Sequence, residues 1–279
     1  MNRAPIKTVF LCIGLLINLV VAGQYLPNPS FEGVPMPHQP PAGWVICTPG
    51  WSTPDTQPGN FGVGMPPSHG NTYLGMTARD DFTWEDVNTT LTLPLSMDSC
   101  YIFQIDLAFQ EIVNFLTMQP ITLKIYGAQD FCDKSNLLWQ SPAIDEDEWI
   151  TYEFAIQDQD FEISHLILEA YYTGSTPYWG YILMDNIRIE TSPHVDLGED
   201  TTLTLCNNDL LELNAGSGYA SYIWSDGSTD STLVVDTTGT YWVQVFNEYG
   251  CSASDTIDVV IEEYQEMESL MIDSTFICA

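Results

Sequence analysis

The sequence predicts an all-β protein built as two successive sandwiches. Three observations carry that expectation. Short runs rich in Val, Ile, Thr, Tyr and Phe alternate with Gly, Pro, Asn and Asp punctuation, the pattern of sandwiches and barrels. Several runs alternate apolar and polar residues, most plainly "YIFQIDLAF" at 101–109, as a half-buried strand requires. Hardly any stretch beyond residue 23 carries a helical period.

Taken in order, the chain opens with Arg3 and Lys7, an apolar run from Val9 to Ala22, and Gly23-Gln24. These are the parts of a secretory signal peptide, residues 1–23. The run is shorter than the roughly 20 residues a membrane span needs, so no membrane insertion is expected after the signal is removed. The signal implies the export machinery as a partner and a secreted or cell-surface location. Cys12 lacks the small residue that precedes a lipidated cysteine.

The first domain is expected over 24–190. Its strands are predicted at Thr72–Met76, Thr89–Leu93, Cys100–Phe109, Ile121–Tyr126, Ile150–Ile156, Ser164–Tyr172 and Tyr181–Glu190. "TSPHV" at 191–195 then breaks the pattern and reads as a linker. The second domain, 196–263, has predicted strands at Thr202–Leu205, Leu210–Asn214, Ala220–Trp224, Thr232–Val235, Thr240–Asn247 and Asp255–Ile261. "SDGS" after Trp224 marks a hairpin, because Gly227 can take the positive φ of a tight turn. Residues 264–279 read as a spacer and the start of a truncated further repeat, since "MIDSTFIC" echoes "EDTTLTLC".

Of six Lys and Arg, two lie in the signal, leaving four against 38 Asp and Glu. Such a surface repels nucleic acid and anionic lipid and suits neutral ligands or cations. The six cysteines beyond the signal show neither CxxC nor zinc spacing, and export makes disulfides the default. The strand parsing suggests Cys100 with Cys132 and Cys206 with Cys251, leaving Cys47 and Cys278 without an obvious partner.

The second unit resembles the PKD- and Ig-like modules of large surface proteins from gliding, type IX-secreting bacteria. The residues that carry this are "VDLGEDTTLTLC", "LLELNAGSGYASYIWSDGSTDSTLVV" and "TTGTYWVQVFNEYGCSASDTIDVVI". The resemblance implies a spacer or adhesive module, with Trp224 in the core near a Cys206–Cys251 bridge. The first unit, bracketed by "LPNPSFEG" (26–33) and "YILMDNIRIE" (181–190), resembles galactose-binding-like jelly rolls of carbohydrate-binding modules, in which first and last strands are neighbours. The expected fold is thus an N-terminal jelly roll followed by a small Ig/PKD-like sandwich.

In similar jelly rolls an acidic pair holds a structural calcium. Here the residues would be Glu32 and Asp185, with Asp106 as a third, although calcium needs six to eight oxygens. Calcium is the one cofactor the sequence suggests. For a ligand, sugar rings present apolar faces ringed by hydroxyls, and aromatic planes beside amides and carboxylates bind them. Trp84, Glu85, Tyr178 and Trp179 fit that recipe best, with Arg79 and Asn71 nearby in sequence. Trp44 is expected in the core.

Catalysis finds no support. "IDEDEW" at 144–149 is a solvated acidic turn before a strand, not the spaced carboxyl pair of a glycosidase. Ser68 and His69 are adjacent in a loop, which is not triad geometry, and neither GxSxG nor HExxH occurs. The favoured reading is a non-catalytic extracellular protein that binds a glycan or cell-surface polymer through its first domain. The rivals are a structural stalk segment of a large adhesin or motility-associated protein, and the accessory region of a secreted hydrolase.

Overall fold

The computed structural model describes residues 25–48, 53–172, 174, 176–191, 193–205 and 210–263. The signal segment, Cys206 and the repeat-like tail with Cys278 lie outside the described residues. The chain divides after Thr191 into two compact units.

The first unit runs through β1 (Val45–Ile46), β2 (Asp55–Gln57), β3 (Tyr73–Ala78), β4 (Asp86–Leu95), β5 (Tyr101–Phe109), β6 (Ile112–Val113), β7 (Leu116–Thr117), β8 (Ile121–Ala128), β9 (Leu137–Gln140), β10 (Ile150–Ile156), β11 (Ile163–Tyr172) and β12 (Gly180–Thr191). Two five-stranded antiparallel sheets result, in the orders β1-β4-β11-β8-β9 and β10-β5-β12-β3-β2. Period-two alternation decides what lies between them. Val87 and Leu91 of β4, Leu123 and Ile125 of β8, and Leu166 and Leu168 of β11 face inward from one sheet. Leu74 and Met76 of β3, Phe103, Ile105 and Leu107 of β5, and Ile182 and Met184 of β12 answer from the other, all in one core. This is a jelly-roll β-sandwich, and the all-β expectation holds.

Trp44 is buried in this core, 3% exposed, with its indole N–H donated to the Asn28 carbonyl and its ring 4.9 Å from Phe31. The expected opening strand is corrected: residues 26–33 form turns, not a strand. Pro27 and Pro29 cannot donate ladder bonds, and Phe31 adopts φ +50°. The segment still runs beside β12, where Ile187 N–H donates to the Pro29 carbonyl.

The expected Cys100–Cys132 bridge is also corrected, because Cys132 is joined to Cys47, with Cα atoms 5.4 Å apart. β1 pairs with β4, with Val45 opposite Asn88 and Ile46 opposite Val87, which lays the end of β1 and Cys47 along that sheet. Asn88 Oδ1 in turn accepts the Cys132 N–H. Cys100 sits just ahead of β5 in the opposite sheet and is disulfide-bonded elsewhere.

The second unit contains β13 (Thr201–Leu205), β14 (Leu211–Asn214), β15 (Ser221–Trp224), β16 (Thr232–Val235), β17 (Gly239–Phe246) and β18 (Ser252–Glu263). Its sheets are β13-β18-β17-β15, with β13 parallel to β18, and the pair β14-β16. Leu213, Leu233 and Val235 from the pair pack with Val243, Val245, Ile257 and Val259 around Trp224, which is 1% exposed. The Trp224 indole N–H is satisfied by the Asp230 carbonyl at 2.8 Å. Gly227 turns the hairpin at φ +84°. Cys251 is buried and disulfide-bonded.

Candidate functional site

On the face of the β10-β5-β12-β3-β2 sheet turned away from the core, alternation places Tyr73, Gly75, Thr77 and Arg79 in one row along and just beyond β3. β2 adds Asp55 opposite Gly75, and β12 adds Tyr181 opposite Thr77. Gly75 is required here, because a Cβ at that position would lie 2.2 Å from the Tyr181 hydroxyl. With no side chain in the way, Tyr181 reaches across β3 and donates to Asp55 Oδ2 at 2.8 Å. It also accepts the Gln57 amide at 2.9 Å.

Above this floor opens a cleft of about 260 Å³. One wall is the 3-10 turn at 60–62 and the β6–β7 hairpin, joined by the bond from Asn114 N–H to the Phe61 carbonyl at 2.8 Å. The other wall is Trp179 with Arg79 and Glu85. Arg79 Nη2 lies 2.6 Å from Glu85 Oε1, while Glu85 Oε2 accepts the Thr77 N–H at 2.9 Å. The guanidinium carbon is 5.6 Å from the centre of the Trp179 ring, within cation–π range. Arg79 Nη1 is buried and has no hydrogen-bond partner among the described residues, and leaving such a donor unpaired costs on the order of 1–3 kcal/mol. Burial raises the Asp55 carboxyl above its ordinary range, against the bonds from His38 N–H and Tyr181. Burial, and then the Asp55 charge, hold the Tyr181 phenol well above its usual value.

Of the six ligand residues expected from sequence, Arg79, Glu85 and Trp179 meet in this cleft. The other three do not. Trp84 and Glu85 are neighbours in the chain, so their side chains leave on opposite sides. Trp84 donates instead to Glu169 Oε2 at 3.0 Å and packs edge-on against Tyr171 at 5.0 Å. Asn71 lies in the 68–72 loop and donates its N–H to Glu32 Oε1 at 2.8 Å. Tyr178 packs on the core and donates to the Pro120 carbonyl. Asp55 and Phe61 are cleft residues that sequence reasoning missed, whereas Tyr181 closes the Tyr178–Tyr181 stretch that fitted the ligand recipe. Alternation in "TYLGMTAR" carried half the signal, but the partners across β2 and β12 depend on register.

Asp106 and Asp185 face each other across β5 and β12, but protein donors already occupy them. Asp185 accepts N–H bonds from His69 and Asn186. Asp106 accepts Ser68 Oγ and Asn186 Nδ2 on one oxygen and Thr151 Oγ1 on the other. Glu32 is turned to the 68–72 loop, where Gly70 at φ +67° leaves room for its carboxylate. No group of three or more His, Cys, Asp or Glu placed to hold a metal occurs among the described residues. In this arrangement the hydrogen bonds on Asp106 and Asp185 come from the chain's own donors. Burial pushes Asp185 up to about 6, opposed by the bonds from His69 and Ser68.

A second polar cluster lies on the outer face of the other sheet. Asp86 and Glu169 are paired across β4 and β11 and are fully or nearly buried. Lys134, from the segment anchored by the Cys47–Cys132 bridge, contacts Asp86 at 2.8 Å and also Glu169. Lys124 lies 3.7 Å from Glu169. This cluster is internally neutralised and closed by its own chain.

No protein-family model matches the chain, and no curated protein does. Solved structures similar to it include a cyclase from Fischerella sp. TAU (11% identity, 60% of this chain and 96% of that one, TM-score 0.43). A CBM4 structure is 15% identical over 59% of this chain and 98% of that one, with TM-score 0.37. The K1 cleaved adhesin domain of Lys-gingipain from Porphyromonas gingivalis W83 is 13% identical over 59% of this chain and 96% of that one, with TM-score 0.40. An enzyme and two binding or adhesin domains at such distance leave function to the residues of the cleft.

Proposed function

We propose that the chain is an extracellular, non-catalytic binding and adhesion protein. Its first unit recognises a glycan or surface polymer in the cleft beside Trp179, and its second unit serves as a spacer or adhesive module. The supporting observation is the Arg79 guanidinium, tied to Glu85 on one nitrogen and lacking an acceptor on the other. Set against an indole face, it suits a ring with an apolar side and hydroxyl edges. Binding without chemistry is supported by the engagement of both cleft carboxylates. Glu85 holds Arg79 and the Thr77 N–H, and Asp55 holds Tyr181 and the His38 N–H. Affinity per site is expected to be weak and raised by repetition on a surface.

The test is a glycan array probed with the exported full-length chain and its Trp179→Ala variant. Signals that vanish with Trp179→Ala support the reading. A wild-type chain silent across a broad array overturns it.

A further inference from the structure

We infer that the cleft selects uncharged, hydroxyl-bearing sugars and rejects carboxylated or sulfated ones, because Arg79 meets the ligand already neutralised by Glu85. The inference rests on the binding role proposed above and adds the charge class of the ligand.

Arg79 is the one Lys or Arg among the described residues lining the cleft, and its partner Glu85 is itself held in place by the Thr77 N–H. The pair is one-to-one, so no net positive charge remains to attract an anion. Asp55, 4% exposed, adds a second acid at the floor. His38, on the rim, is the other titratable imidazole or carboxyl in the lining. A ligand carboxylate would have to share Arg79 with Glu85 while approaching Asp55, where like charges out of water interact strongly. The chain's net charge of −32 adds repulsion at longer range. A sugar hydroxyl meets none of these costs. It accepts from Nη1 and lays a C–H face on Trp179. Nη1 is screened from solvent, so this contact requires the side chains that cover it to move aside.

The experiment titrates the full exported chain with matched pairs of neutral and uronic-acid oligosaccharides by calorimetry, at low and high sodium chloride. The expected result is that neutral members bind with affinity insensitive to salt, and their uronate counterparts at least tenfold more weakly. Glu85→Gln should narrow that gap by freeing the Arg79 charge. Should Glu85→Gln not fold, the wild-type salt series decides alone. Uronates that bind as well as or better than their neutral partners, with affinity falling as salt rises, overturn charge selection and leave glycan binding standing. Silence in both arms overturns both.

Discussion

The Tyr181 hydroxyl and the Asp55 carboxylate, 126 residues apart in sequence, meet at 2.8 Å across a strand whose intervening residue is Gly75. The floor of the cleft is therefore a single hydrogen-bonded unit of Gln57, Tyr181 and Asp55 spread over β2 and β12. Its geometry depends on a missing side chain.

Gly75→Ala should destabilise the first unit by about 1–3 kcal/mol, because the new methyl overpacks against the phenol. Tyr181→Phe should cost about 1–3 kcal/mol by leaving Gln57 and Asp55 short of a partner. Since both substitutions strike the same contact, the double variant should cost less than the sum of the two. Chemical denaturation of the four proteins measures this, and strict additivity would contradict the coupling.

Lys134→Met should be among the most damaging surface-segment substitutions. It leaves the buried Asp86 and Glu169 with Lys124, 3.7 Å from Glu169, as the remaining cation of the cluster among the described residues. Breaking a buried pair by removing one partner costs about 3–5 kcal/mol. The lower end is expected here, because the Lys134 side chain is 28% exposed. A thermal melt unchanged by the substitution would show that the cluster contributes nothing.

Peptide mapping under non-reducing conditions should recover Cys47 linked to Cys132 and no Cys100–Cys132 peptide. The bridge spans 85 residues of sequence, and closing a loop of that length stabilises by about 4 kcal/mol before strain is subtracted. Cys47→Ser with Cys132→Ser should lower the melting temperature accordingly and loosen the segment that carries Lys134.

The folded-state value of about 6 for Asp185, against an ordinary 3.8, sets the sign of a pH effect. Between those values the folded chain holds a proton that the unfolded chain has released. The Asp185 contribution to stability therefore falls as pH rises from about 4 to about 6, and is flat above. Measured relative to Asp185→Asn across that window, wild type should be comparatively more stable at the acid end. A difference that grows with rising pH would contradict the assignment. Calcium added at neutral pH should leave the melting temperature unchanged, given the donors already on Asp106 and Asp185.

What the sequence determined by itself was everything governed by local period and local turn chemistry. "YIFQIDLAF" announced β5, "SDGS" announced the turn at Gly227, and Thr191–Val195 announced a break in the strand pattern. Trp44 was expected in the core because a sandwich needs aromatic filling, and Trp224 because its unit resembles PKD- and Ig-like modules; both are buried. Strands of two to four residues, such as β1, β2 and β9, escaped because alternation has no length over which to show. Tertiary structure alone decided who meets whom. Register and sheet order, set by pairing across long stretches of chain, brought Tyr181 to Asp55 and Cys132 to Cys47. The same pleat that made β3 and β4 readable sent Trp84 and Glu85 to opposite faces, a consequence that chain proximity hides and only the paired sheets reveal.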